Sequence, residues 1–247
     1  EVEIHKEKNI YIPELIFGNL FTSSNYDDTK ERDWVGVNGL GSKAVSIFSK
    51  KFIVETVDSN NGKKYIQEFS ENMSKINPPK ITDTKVKPYT KISFIPDFKR
   101  FGMKSIDKDT FRVMEKRVYD VSAGISKNRK LSLLFNKKKI EISSFMDYVN
   151  LFPIKNEKYH AVLSNKWEII IAKNSYDEFK QISFVNGIPT IKGGRHVDNI
   201  VSAIVKKGTD IIKSKNKDLV FKNSSIKEKL IIFVLARVKN PKFDSQT

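Results

Sequence analysis

Gly36-Val37-Asn38-Gly39-Leu40-Gly41-Ser42-Lys43 constrains this chain more than any other segment. Glycines at this density let the backbone turn sharply and approach a ligand closely. The apolar positions after it (Ala44, Val45, Ile47, Phe48) predict a helix opening where the loop ends. A glycine-rich turn feeding a helix start aims free N–H groups and the positive end of the helix dipole at an anion. The expected ligand is a phosphate, and the open question is which nucleotide fold carries the loop.

Composition narrows the answer. The chain has 247 residues, 39% of them hydrophobic, enough for one large domain or two ordinary ones. No apolar run approaches the ~18 residues of a membrane span. There is no Cys, which excludes disulfides, Cys-ligated zinc and thiol catalysis. Three histidines, His5, His160 and His196, argue against a His-rich metal site. The net charge of +16 suggests a polyanionic partner, nucleic acid before membrane. The bland alternative is a Lys-rich composition inherited from an AT-rich genome. Glu1-Val2-Glu3-Ile4-His5 does not resemble a signal peptide and reads as the interior of a longer protein.

Residues 10–20 carry a helical pattern, and 19–30 are polar and turn-rich. Phe52 to Val57 predicts a strand, Asn60-Asn61-Gly62 a hairpin turn and Tyr65 to Phe69 its partner. Asn77-Pro78-Pro79 breaks the chain, and Thr90 to Ile95 predicts a strand ended by Pro96. Ser105 or Asp107 can cap a helix whose apolar positions are Phe111, Met114, Val118 and Val121. Leu131 to Phe135 and Ile140 to Ile142 predict a hairpin across Asn136-Lys137. A domain boundary is expected near 148–153. Strands follow at Trp167–Ala172 and Gln181–Val185, then a long amphipathic helix from Val197 to Ile212. Gly193-Gly194-Arg195-His196 reads as a tight turn and helix start, with no catalytic role for His196. Lys213-Ser214-Lys215-Asn216-Lys217 predicts a basic loop. Ile226 to Val238 is ambiguous: Ile231 to Val234 favours a strand, Lys227 to Lys229 a helix before it.

Three folds compete for the loop. A P-loop needs Gly, four residues, Gly, then Lys and Ser or Thr. Gly36 and Gly41 fit, but Lys43 comes one place late and no hydroxyl follows it. Gly39-Leu40-Gly41-Ser42-Lys43-Ala44 fits the dinucleotide pattern G-x-G-x-x-A, with Glu55 near the place of the ribose-binding acid. Against it, Asp27 to Asp33 is charged, so the strand required before the loop shrinks to Trp34–Val37.

The third reading comes from resemblance. Thr22-Ser23-Ser24-Asn25-Tyr26-Asp27-Asp28 and Asn38-Gly39-Leu40-Gly41-Ser42-Lys43 resemble the ATP-lid region of type IIA DNA topoisomerases. Ile12-Pro13-Glu14-Leu15-Ile16-Phe17-Gly18 precedes them. Tyr89-Thr90, Phe94-Ile95-Pro96-Asp97, Arg117-Val118-Tyr119-Asp120, Gln181-Ile182-Ser183-Phe184-Val185-Asn186, Gly193 to Asp198, Asn240-Pro241 and Phe243-Asp244-Ser245-Gln246-Thr247 continue the match in order. The series covers nearly the whole chain and resembles the eukaryotic and large-DNA-virus branch more than bacterial gyrase.

This resemblance implies an α+β chain: a Bergerat-type (GHKL) α/β sandwich over 1–152, then a transducer of the ribosomal-protein-like βαβ fold over 153–247. It implies an ATP-binding, dimerising N-terminal gate that drives one DNA duplex through a cleaved second duplex. By the family pattern Ser23, Ser24 and Asn25 reach sugar and phosphates. Gly36, Val37, Asn38, Gly39, Leu40, Gly41, Ser42 and Lys43 wrap the triphosphate. Thr90 lines the adenine pocket, and Gln246 reaches the γ-phosphate. Lys213, Lys215 and Lys217 face DNA. ATP and Mg2+ are the implied cofactors, with double-stranded DNA and a second copy of the chain as partners. The implied location is a nucleus, or a host cytoplasmic replication site for a viral genome. Val37 stands where the family usually has Arg, Leu40 replaces an aromatic residue, and Ser42 replaces a common Ala. The family's general base, a Glu, and its magnesium-binding Asn are expected upstream of Glu1. The alternatives from other classes are a Rossmann-type NAD-dependent oxidoreductase and a non-catalytic basic nucleic-acid-binding module.

Overall fold

The computed structural model describes residues 1–23, 36, 38–124, 131–164, 166–217 and 219–243. By packing, they fall into two units, one within 1–106 and the other within 107–243.

The first unit opens with α1 (Ile12–Gly18), whose Pro13 sits in the first turn, where a missing N–H is tolerated. Next come α2 (Gly41–Ile47), β1 (Ser49–Asp58), β2 (Lys63–Ser70), β3 (Lys75–Ile76), β4 (Lys80–Asp83) and β5 (Tyr89–Pro96). The sheet order is β3-β2-β1-β5, with β4 also on β2, and every pairing is antiparallel. The expected hairpin closes at the Asp58–Lys63 pair, with Gly62 at φ 65° in the turn. The Asp58 carboxylate accepts the N–H groups of Val2 (2.8 Å) and Asn60 (2.9 Å), and these donors hold its pKa down. Alternation decides which face is covered. Tyr65, Gln67 and Phe69 of β2 and Phe52 and Val54 of β1 are buried. Phe17 of α1 packs on Phe52, and Tyr11 packs on Tyr65.

The second unit contains α3 (Lys108–Ala123), β6 (Leu134–Phe135), β7 (Lys138–Lys139), α4 (Phe145–Val149), β8 (Lys158–Ser164), β9 (Trp167–Lys173), β10 (Lys180–Val185), β11 (Ile188–Pro189), α5 (Arg195–Lys215), α6 (Asn223–Lys227) and β12 (Leu230–Ala236). Asp107 caps α3 as expected, its carboxylate accepting the Thr110 N–H at 2.7 Å. The β6–β7 turn is Asn136-Lys137, both at positive φ, which suits a two-residue hairpin. Its strands are shorter than expected, although the Ile140 N–H still donates to the Leu133 carbonyl at 2.9 Å, and the Ile140 side chain is buried.

The larger sheet runs β11-β10-β12-β9-β8. Only the β10–β12 pairing is parallel, and α5 and α6 make the crossover between those strands. Ile231 and Phe233 of β12 face Ala123 of α3 and Phe145, Tyr148 and Val149 of α4. Ile232, Val234 and Ala236 face Val197 and Val201 of α5. Helices cover both faces, so β12 is apolar at every position instead of alternating. That is why 226–238 is ambiguous in the sequence. Packing also divides the chain at 106/107, a different criterion from the family domains expected at 1–152 and 153–247.

One buried charge ties α3 to α4. Asp120 is 5% exposed, and its carboxylate accepts from Tyr148 Oη (2.7 Å) and from Lys116 Nζ (2.7 and 2.8 Å). Burial, and then the adjoining carboxylate, push the Tyr148 hydroxyl pKa up, so it stays a donor. Tyr148→Phe removes a hydrogen bond to a buried charge and should cost about 1–3 kcal/mol. Equilibrium denaturation with a probe in the second unit checks this.

Candidate nucleotide site

Gly39 of the glycine-rich segment meets Ser23 and Lys43 in the first unit. Gly39 has φ 60°, and a Cβ built on it would lie 3.3 Å from the Ser23 amide nitrogen and 3.5 Å from Lys43 Nζ. Ser23, Gly39 and Lys43, all expected to touch phosphate, are therefore neighbours. The loop ends in a helix where expected, with Leu40 at the N-cap of α2 and Gly41, Ser42 and Lys43 in its first turn. Gly36 and Asn38 are also described, and Asn38 is half-buried. Ser24, Asn25, Val37 and Gln246 lie outside the described residues.

Lys43 is the unusual member. It is 2% exposed, and its ammonium donates to Thr22 Oγ1 at 2.9 Å. Burial pulls its pKa down, and no carboxylate among the described residues raises it again. An ammonium carries three donors, and Thr22 takes one. A buried cation with donors to spare, beside a glycine turn, suits an anion. On the same face of α2, Ser46 Oγ is buried without a hydrogen-bond partner among the described residues.

The other expected residues lie elsewhere. Thr90 is an exposed residue of β5 whose hydroxyl pairs with Thr56 Oγ1 at 2.9 Å, not with the loop. Lys213 and Lys215 belong to the last turn of α5, and Lys217 follows it. The expected basic loop is thus mostly helix, because the Ile211-Ile212 register continues until the cap at Asn216. His196 is half-buried with Nε2 3.0 Å from Thr190 Oγ1, and Gly193 and Gly194 take positive φ at the start of α5. Thr22 and the buried Gln67 were not singled out in the sequence. Thr22 adjoins Ser23-Ser24-Asn25, and Gln67 is the polar residue on the inward row of β2, which were the available signals.

The dinucleotide reading is overturned here. It needs a parallel strand–helix–strand unit around the loop. The strand after α2 is β1, which is antiparallel to both of its neighbours. Glu55 is engaged by Lys64 Nζ at 2.9 Å and by Tyr89.

Comparison with known proteins agrees with this geometry. The family model for DNA gyrase B matches residues 130–247. DNA topoisomerase 2 of Saccharomyces cerevisiae is 43% identical over the whole chain, which spans 18% of that protein. The solved ATPase region of Saccharomyces cerevisiae topoisomerase II is 44% identical with a TM-score of 0.90, covering 100% of this chain and 63% of that one. The ATPase domain of Thermus thermophilus gyrase B, at 17% identity and a TM-score of 0.59, covers 98% of this chain and 65% of its own, and shares the fold. Neither alternative class finds support in these likenesses. Loop, sheets and likenesses define a GHKL-type region joined to a βαβ-containing transducer. The chain belongs to the type IIA DNA topoisomerase family and corresponds to part of its ATPase region. It spans about a fifth of the length of the curated relative.

No three His, Asp or Glu side chains gather into a metal-binding group among the described residues. The glycines give a cleaner test. Gly39→Ala forces a left-handed alanine against Ser23 and Lys43 and should cost about 1–2 kcal/mol. Gly41→Ala, a helical position with nothing within 4 Å, should be neutral or stabilising, both read by equilibrium denaturation with a probe in the first unit.

Proposed function

We propose that this chain forms the lid and transducer portion of the ATP-operated gate of a type IIA DNA topoisomerase. One observation carries the reading: the buried Lys43 ammonium, without a carboxylate partner among the described residues, beside Gly39 and the Ser23 amide. The glycine turn supplies backbone N–H donors that wrap a triphosphate, and Lys43 neutralises its terminal charge. Ser23, Ser24 and Asn25 hold the sugar and inner phosphates. Thr90 lines the adenine end, and Gln246 reports the γ-phosphate to the transducer. Residues 1–152 act as the nucleotide domain and 153–247 as the transducer. ATP, taken with Mg2+, closes two copies of the gate, and hydrolysis reopens it. Closure drives passage of one duplex through a break in another.

Exposed Lys213, Lys215 and Lys217 contact DNA phosphates without reading sequence. Such contacts release counterions and weaken with salt.

Two experiments test this reading. In the full-length protein, Lys43→Met should weaken binding of a non-hydrolysable ATP analogue by about tenfold or more, because it removes a charged hydrogen-bond donor. Unchanged affinity sinks the assignment of Lys43, and NAD should compete with the analogue in neither protein. Separately, Lys213→Ala with Lys215→Ala should lower the slope of log affinity for duplex DNA against log salt by about two. An unaltered slope removes these lysines from the interface.

A further inference from the structure

Lys43 is a long, flexible side chain held away from water, and something must keep it there. The hydrogen bonds around it name the group. Thr22 Oγ1 donates its single hydrogen to the carbonyl of Asn19 at 3.2 Å, which leaves its lone pairs for the Lys43 ammonium at 2.9 Å. The direction of both bonds is thereby fixed. Asn19 Nδ2 donates to the Glu14 carbonyl of α1 at 3.4 Å, and the Glu14 carboxylate accepts from Gln67 Nε2 at 2.9 Å. Gln67, 2% exposed on β2, also donates to the Asn77 carbonyl and accepts from Tyr65 Oη. A continuous series of bonds therefore runs from the sheet through α1 to the Lys43 ammonium.

Thr22 and Lys43 are 21 positions apart, so their bond is a long-range one that fixes a rotamer-rich side chain. An ammonium already held in one position loses less freedom when it takes a ligand.

We infer that Thr22 is the positioning residue of this site: its hydroxyl, oriented by the Asn19 carbonyl, clasps the Lys43 ammonium and holds it beside Gly39. The nucleotide consequence rests on the reading of Lys43 as a phosphate ligand. The clasp itself does not, because it is a bond between two side chains of this chain. Thr22 touches no phosphate and acts through Lys43.

The test uses the full-length protein without nucleotide and an amine-acylating reagent, with labelling of Lys43 read by mass spectrometry. Wild-type Lys43 should label slowly. Thr22→Val, which keeps the shape but loses the acceptor, should speed labelling several-fold. It should also weaken a non-hydrolysable ATP analogue by about tenfold, the worth of one charged hydrogen bond. Thr22→Ser should restore both. Wild-type labelling in Thr22→Val overturns the clasp. If Thr22→Val folds poorly, Thr22→Ser against Thr22→Ala carries the same comparison, and equal labelling of the two overturns it. If labelling rises while affinity for the analogue holds in both Thr22→Val and Lys43→Met, the clasp stands and the phosphate role of Lys43 falls.

Discussion

Burying an ammonium removes its hydration, and the loss must be offset by hydrogen bonds or by a counter-charge. At Lys43 the described neighbours supply a hydroxyl and no carboxylate. The local structure follows from that condition. Residue 39 is a glycine at φ 60°, so the turn can pass close to Nζ and to the Ser23 amide. Residue 22 carries a hydroxyl whose hydrogen is already committed to Asn19. In α2 the buried positions are Lys43 and Ser46, while Val45 and Phe48 are exposed. This inverts the pattern that helix amphipathicity favours. Stability is given up locally, which is the usual sign of a site kept for its chemistry.

The second unit solves the opposite problem. Its central strand, β12, is enclosed on both faces, with aromatic rings from α4 on one side and the aliphatic stripe of α5 on the other. Any rotation of α5 about its axis must be accommodated by Val197 and Val201 against Ile232 and Val234. On the far face, Phe233 meets Phe152 with ring centroids 5.0 Å apart, and Phe184 meets Tyr148 at 5.6 Å. Interiors packed in this way transmit displacement instead of absorbing it.

Legibility in the sequence depended on where the determining interactions lie. Local ones could be read. Pro13 starts α1, Asp107 caps α3, Asn60-Asn61-Gly62 turns the first hairpin, and the apolar spacing of 197–212 marks α5. The Asn186-Gly187 turn, with both residues at positive φ, is an equally local signal for β11. Non-local interactions could not be read. The exposed strand β8 has no one-sided pattern, and β12 has no alternation because both of its faces are covered. The proximity of Ser23, Gly39 and Lys43 was expected from resemblance. The bond from Lys43 to Thr22 spans 21 residues and leaves no periodic trace. The bond between Thr90 and Thr56 likewise joins neighbouring strands across 34 positions and leaves no local trace.

The lysines at the end of α5 have a structural reason to exist as well as a functional one. Cations in a last helical turn offset the negative end of the dipole, by about 0.3–1 kcal/mol each. Lys213 and Lys215 occupy that turn, so their presence alone says little about DNA. Lys217 is different. It follows the Asn216 cap and is exposed, without an ion pair among the described residues. Of the three, it is the lysine least tied to the helix itself, and the proposed contact with a phosphate backbone is the role that would use its charge.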